Sequence, residues 1–61
     1  MPVVIVLSDH SRVELESMDS IVMRDHKLGI KETPVRNLLE GHDSVIHNGR
    51  PVRVVRIEEV N

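Results

Sequence analysis

The stretch Arg12-Val-Glu-Leu-Glu-Ser-Met-Asp-Ser-Ile-Val-Met-Arg-Asp-His-Lys-Leu28 decides the fold, because it carries two hydrophobic periods at once. Read by twos, Val13 and Leu15 alternate with Glu14 and Glu16, Met18-Asp19 turns, and Ile21 and Met23 line the inside of a further strand. That reading makes a meander. Read by 3.6, Ser11-x-x-Glu14 is a capping box, and Leu15, Met18, Ile21, Val22 and Leu28 gather on one face. Gly29 then caps a long helix. The alternation over 12–16 and the absence of Ala and Gln favour strand for the first part, whereas Met18 to Leu28 suits a helix. The boundary is placed near Ser17, and whether residues 12–28 are strand or helix stays open at this level.

The flanking segments are plainer. Val3 to Leu7 is a β-branched run followed by turn residues, as expected of a strand at 3–7 covered on both faces. Thr33 is placed as an N-cap, Pro34 at the first helical position and Gly41 as the stop, which predicts a short helix over 34–40 with Val35, Leu38 and Leu39 facing inward. Ser44 to His47 and Arg50 to Ile57 flank Asn48-Gly49, the dipeptide that favours a two-residue hairpin turn. Pro51, which has no N–H to donate, marks an edge or bulge, and Val54-Val55 breaks alternation and marks a second bulge candidate. The expected fold is therefore α+β: an N-terminal β-strand or hairpin, a central helical segment with the short helix 34–40, and a C-terminal β-hairpin over 44–58.

Composition bounds the function. The 61 residues make one small domain, 1–61, with eight Lys or Arg against ten Asp or Glu and an aliphatic core of Val, Ile, Leu and Met. No cysteine is present, so neither disulfides nor a Cys-based zinc site braces the fold. The longest apolar run, Val3 to Leu7, is far short of the roughly 20 residues that span a bilayer. No membrane partner is expected, and with no basic leader before that run the expected location is cytoplasmic. Aromatic residues are absent, which disfavours base stacking on single strands or RNA. His10, His26, His42 and His47 lack zinc-like spacing, and nothing marks an activated nucleophile. No catalytic, metal or cofactor-binding residue is expected, and no enzyme.

Leu28-Gly-Ile-Lys-Glu-Thr-Pro-Val-Arg-Asn-Leu-Leu-Glu-Gly41 resembles the turn and second helix of a helix-turn-helix, with Gly29, Val35 and Leu38 in register. Followed by a hairpin with an arginine-bearing strand, the order over about residues 18–59 is similar to the small winged-helix DNA-binding proteins of the excisionase and MerR type. The resemblance implies a non-enzymatic accessory or transcriptional regulator on double-stranded DNA. Lys31, Thr33, Arg36 and Asn37 would then face the major groove, with Arg50, Arg53 and Arg56 on phosphate from the wing.

The residues also support plainer readings. Arg alternating with Val is how an ordinary edge strand stays unpaired, and a short surface helix exposes polar groups whatever it does. Taking 12–24 as strands gives a small β-barrel-like protein-interaction module instead. An inhibitor or antirepressor would use Glu14, Glu16, Asp19 and Asp25 against a basic protein partner. Exposed aliphatics such as Val3 or Val60 offer a seam for a homodimer by strand addition.

Overall fold

Six antiparallel strands and one 3₁₀ turn account for the architecture in the computed structural model, which describes residues 1–60. They are β1 (Val3–Leu7), β2 (Arg12–Leu15), β3 (Ile21–His26), β4 (Gly29–Pro34), the 3₁₀ turn Val35–Asn37, β5 (Ser44–His47) and β6 (Arg50–Glu59). The sheet order is β2-β1-β6-β5-β3-β4. β6 serves two halves of this sheet. Its first part pairs with β5 and its second with β1, and the register slips between them: Val6 opposes Arg56 and Leu7 opposes Val54. Val55 is left over, and such a bulge bends the strand and increases its twist. The sheet curls around that corner.

Val3, Ile5 and Leu7 from β1 meet Val45 and Val54 inside the curl, with Val35 and Leu38 inserted from the segment after β4. Val13, Leu15, Met18, Val22, Val52 and Ile57 pack around them. Burying one such aliphatic side chain stabilises the fold by about 1.5–3 kcal/mol, so these contacts carry a chain that has no disulfide. On the outer side of β1, Val4 stands between Glu14 and Glu58, and Val6 between Arg12 and Arg56. The long stems of these charged residues flank the two valines, and Glu58 binds Arg12 at 3.5 Å and Arg56 at 3.3 Å.

The α+β expectation with a central helical segment is overturned: among the described residues the regular elements are antiparallel strands and one 3₁₀ turn, with no α-helix. Met18 to Leu28 is not helical. Residues 17–20 form a turn closed by a Ser20 N–H to Ser17 O bond of 3.1 Å, and β3 follows. Ile21 and Met23 also face outward rather than inward, because it is Val22, opposite the buried Thr33, that packs against the core. A period of two fixes which residues share a face but not which face is covered.

The helix expected over 34–40 shrinks to Val35–Asn37, since Leu38 is already extended at φ −80°, ψ 139°. Thr33 does not cap it; its backbone belongs to the β3–β4 ladder opposite Val22. The N–H groups that a helix would leave without partners are taken up elsewhere: Val35 extends the ladder to Ser20 O (2.9 Å), and Arg36 reaches Met18 O in the turn before β3 (3.0 Å). Two turns of isolated helix are also below the length at which helix formation sustains itself. Leu39, expected inward, is 62% exposed. Gly41 closes no helix; at φ 77° it turns the chain so that its N–H reaches Val54 O at 2.8 Å. Val3 is not the exposed aliphatic expected, being fully buried and paired with Leu15 on one side and Glu59 on the other, whereas Val60 is 40% exposed.

The C-terminal hairpin has its tip at Asn48-Gly49, where φ is 53° and 77°. Positive φ at both central residues is what a type I′ turn requires, and Asn-Gly meets it with least strain. Pro51 fits by alternation. The Val54 N–H bonds toward the β5 side, to Asp43 O at 2.9 Å, so even-numbered residues donate that way and Pro51 would have donated to the other side, where β1 has ended.

Candidate functional site

β4 is one of the two open edges of the sheet. Its backbone direction follows from the bond that extends its ladder: Val35 N–H points to Ser20, so Lys31 and Thr33 also donate toward β3. By strand alternation, the N–H groups of Ile30 and Glu32 point outward, away from the sheet. Pro34 has no N–H, which ends the row of outward donors at Glu32.

An apolar strip runs beside this edge. On the outer face Ile21 opposes Pro34, Met23 opposes Glu32 and Asp25 opposes Ile30, so Met23 is the diagonal neighbour of both Pro34 and Ile30. Ile21, Met23 and Ile30 are 55%, 45% and 56% exposed, and Leu28 at the β3–β4 turn is 85% exposed. One step along the register in which Arg24 opposes Val45, Ile46 of β5 extends the strip past Met23. Single exposed aliphatics are ordinary; several neighbours on one face beside unpaired backbone make this edge the candidate site.

The inner face of the same strands is cationic. Arg24 on β3 stands directly opposite Lys31 on β4. Arg24 Nη1 lies 3.6 Å from Asp43 Oδ1, both side chains being mostly buried, while its Nε is buried with no hydrogen-bond partner. Asp43 also accepts the Leu39 N–H through Oδ2. This carboxylate therefore holds the segment after the 3₁₀ turn against the sheet, helped by Glu40, whose Oε1 accepts the Ile57 N–H at 3.1 Å.

The residues expected to contact DNA are not gathered on one surface. Thr33 is buried, Lys31 lies on the inner face of β4, and Asn37 is exposed on the 3₁₀ turn. Arg36 is held by Asp19, at 2.7 Å through Nη2 and 2.8 Å through Nε. Arg50, by its parity with the inward-packed Val52 and Val54, belongs to the inner face, whereas Arg53 and Arg56 lie on the outer one, and Arg56 is paired with Glu58. The acidic residues are dispersed as well: Glu14 and Glu16 line an open dish with Pro2, Leu15 and Ser20, but Asp25 is across the sheet on β3.

No group of three or more His, Asp or Glu arranged to hold a metal ion occurs among the described residues. His26 Nδ1 instead accepts the Leu28 N–H at 3.3 Å in its own turn. Asp9 is the one described group whose acidity is clearly shifted: hydrogen bonds from the Ser11 backbone and side chain, with a smaller contribution from His47, hold its carboxyl below the usual range. That pattern belongs to the turn between β1 and β2. No helix among the described residues is long and apolar enough to cross a membrane. The apolar strip was missed in the sequence because Leu28-Gly29-Ile30 reads equally as a helix-turn-helix turn; the signal for it was the alternation from Ile21 to His26.

No family model, curated protein or solved structure matches the chain.

Proposed function

We propose that this protein is a small β-barrel-like protein-interaction module that takes an extended segment of a partner as an added strand along β4. The observation that carries this reading is the juxtaposition of the outward N–H groups of Ile30 and Glu32 with the exposed strip Ile21, Met23 and Ile30. In strand addition the main-chain bonds supply affinity, and the side chains that alternate above and below supply selectivity. Lys31, Glu32 and Pro34 oppose indiscriminate pairing, as charges and proline do on edge strands generally. The edge is thus selective without being closed. The DNA reading loses the helix it required, and its cations are split between two faces or already paired with acids.

Glu32→Pro tests the proposal with little risk to the fold, because the N–H it removes points away from β3. Peptides selected from a displayed random library on the wild-type chain are expected to shift and protect the Ile30 and Glu32 amides. The variant should bind them at least about ten-fold more weakly, because it loses a main-chain bond and gains a steric block. Its circular dichroism should be unchanged. Peptides that bind the variant equally, or that shift other strands only, would overturn the proposal. In parallel, a titration with mixed duplex DNA at two salt concentrations is expected to leave the Arg50, Arg53 and Arg56 amides unmoved. Salt-sensitive shifts there would restore the nucleic-acid reading.

A further inference from the structure

We infer that the strand received by β4 pairs antiparallel, as every strand of this sheet does, and carries an acidic residue opposite Lys31; this rests on the strand-addition reading above. Lys31 faces Arg24 directly across the β3–β4 ladder, and like charges in that position repel. The acid within reach of Arg24 is Asp43, at 3.6 Å, and its carboxylate already accepts the Leu39 N–H. Arg24 Nε is buried and unbonded, and the row sets the two cations Arg24 and Lys31 against the one carboxylate of Asp43. Lys31 has no acidic partner among the described residues, and its other flank is the open edge. An acid on the incoming strand is the one addition to this row that neutralises Lys31.

The backbone places that acid where it is read best. Ile30 and Glu32 direct their N–H groups outward, so the partner residues facing them form hydrogen-bonded pairs. The residue facing Lys31 forms the intervening non-bonded pair, in which Cα atoms approach to about 4.5 Å instead of about 5.5 Å. On the outer face the same strand meets Ile30 with an apolar residue and Glu32 with a cation. Read from N to C, the complementary core is basic, acidic, apolar. A second copy of β4 does not supply it. A two-fold centred on Lys31 or on Glu32 sets each against its own like charge, and one centred on Ile30 runs into the Lys27–Leu28 turn.

The test uses three capped heptapeptides: Ser-Thr-Arg-Glu-Val-Thr-Ser, and the same sequence with Gln or Lys at its centre. Each is titrated into the full chain at low ionic strength and followed by amide shifts. The Glu peptide is expected to bind about five- to ten-fold more tightly than the Lys peptide, with Gln between, and salt should narrow the gap. Lys31→Glu is expected to reverse the order. Shifts along β4 with equal affinities, or an order that Lys31→Glu leaves unchanged, overturn the acidic assignment and leave strand addition standing. No shift along β4 with any of the three, when library-selected peptides do shift it, also overturns the assignment alone. If the selected peptides spare β4 too, strand addition fails and the inference with it. Sedimentation showing dimers that Glu32→Pro abolishes would overturn the choice of a foreign partner.

Discussion

Ile5→Ala is expected to destabilise the protein by about 3 kcal/mol, within the range of roughly 2–5 kcal/mol for truncating a buried isoleucine. Ile5 is 1% exposed, lies between Val13 and Ile57 in the ladder, and belongs to the central cluster with Val35, Leu38 and Val54. The substitution removes three carbon atoms from a site that two neighbouring strands hold open, so the cavity cannot collapse fully. Stability at about 0.05–0.15 kcal/mol per residue gives a chain of this length only about 3–9 kcal/mol in total. A loss of this size lowers the thermal midpoint by about 12–24 °C, at roughly 4–8 °C per kcal/mol for a domain of this class. Thermal denaturation followed by circular dichroism measures it. Ile21→Ala is the matched control: at 55% exposure on the outer face it should change stability by no more than about 0.5 kcal/mol. A helix over 18–28 would have buried Ile21, so equal losses for the two variants would contradict the strand assignment as well as the core.

Asp43→Ala is expected to cost about 2–4 kcal/mol. The carboxylate has two jobs, the ion pair with Arg24 and acceptance of the Leu39 N–H, and its side chain is 15% exposed against 24% for Arg24. Removing one partner of a buried pair costs about 3–5 kcal/mol because the other charge is left alone. Partial exposure here lowers that figure, and the lost hydrogen bond adds to it. Asp43→Asn separates the two jobs, since the amide oxygen still accepts from Leu39 while the charge is gone. It should cost about half as much as the alanine. Arg24→Met combined with Asp43→Asn is expected to recover most of the loss, because replacing both charges leaves none uncompensated. Urea unfolding of the wild type, Arg24→Met, Asp43→Asn and the double variant reads the coupling; strict additivity would show that the pair contributes nothing.

Legibility followed the range of the forces involved. β1 and the Asn48-Gly49 hairpin were readable because their determinants are local: a β-branched run, and a dipeptide suited to two positive φ angles. Residues 18–28 and 34–40 were not, because short amphipathic runs support both periods. What decided between them was distant: Ser20 and Met18 accept from Val35 and Arg36, which ties the turn after β2 to the segment after β4. The candidate site was obscured for a related reason. Arg50, Arg53 and Arg56 look like one stripe in the sequence, but strand alternation separates Arg50 from Arg53, and the leftover Val55 then brings Arg56 back to the side of Arg53.

The amino-acid sequence by itself determined an aliphatic, cysteine-free β-forming chain with strands at 3–7 and around an Asn-Gly turn, because propensity and turn stereochemistry act over a few residues. Tertiary structure alone decided that Val22, not Ile21 or Met23, faces the core, and that Thr33 joins a ladder instead of capping a helix. It also decided that β4 lies at an edge with Lys31 across from Arg24. A register shift of one residue exchanges the two faces of a strand, and register is set by partners far away in the chain.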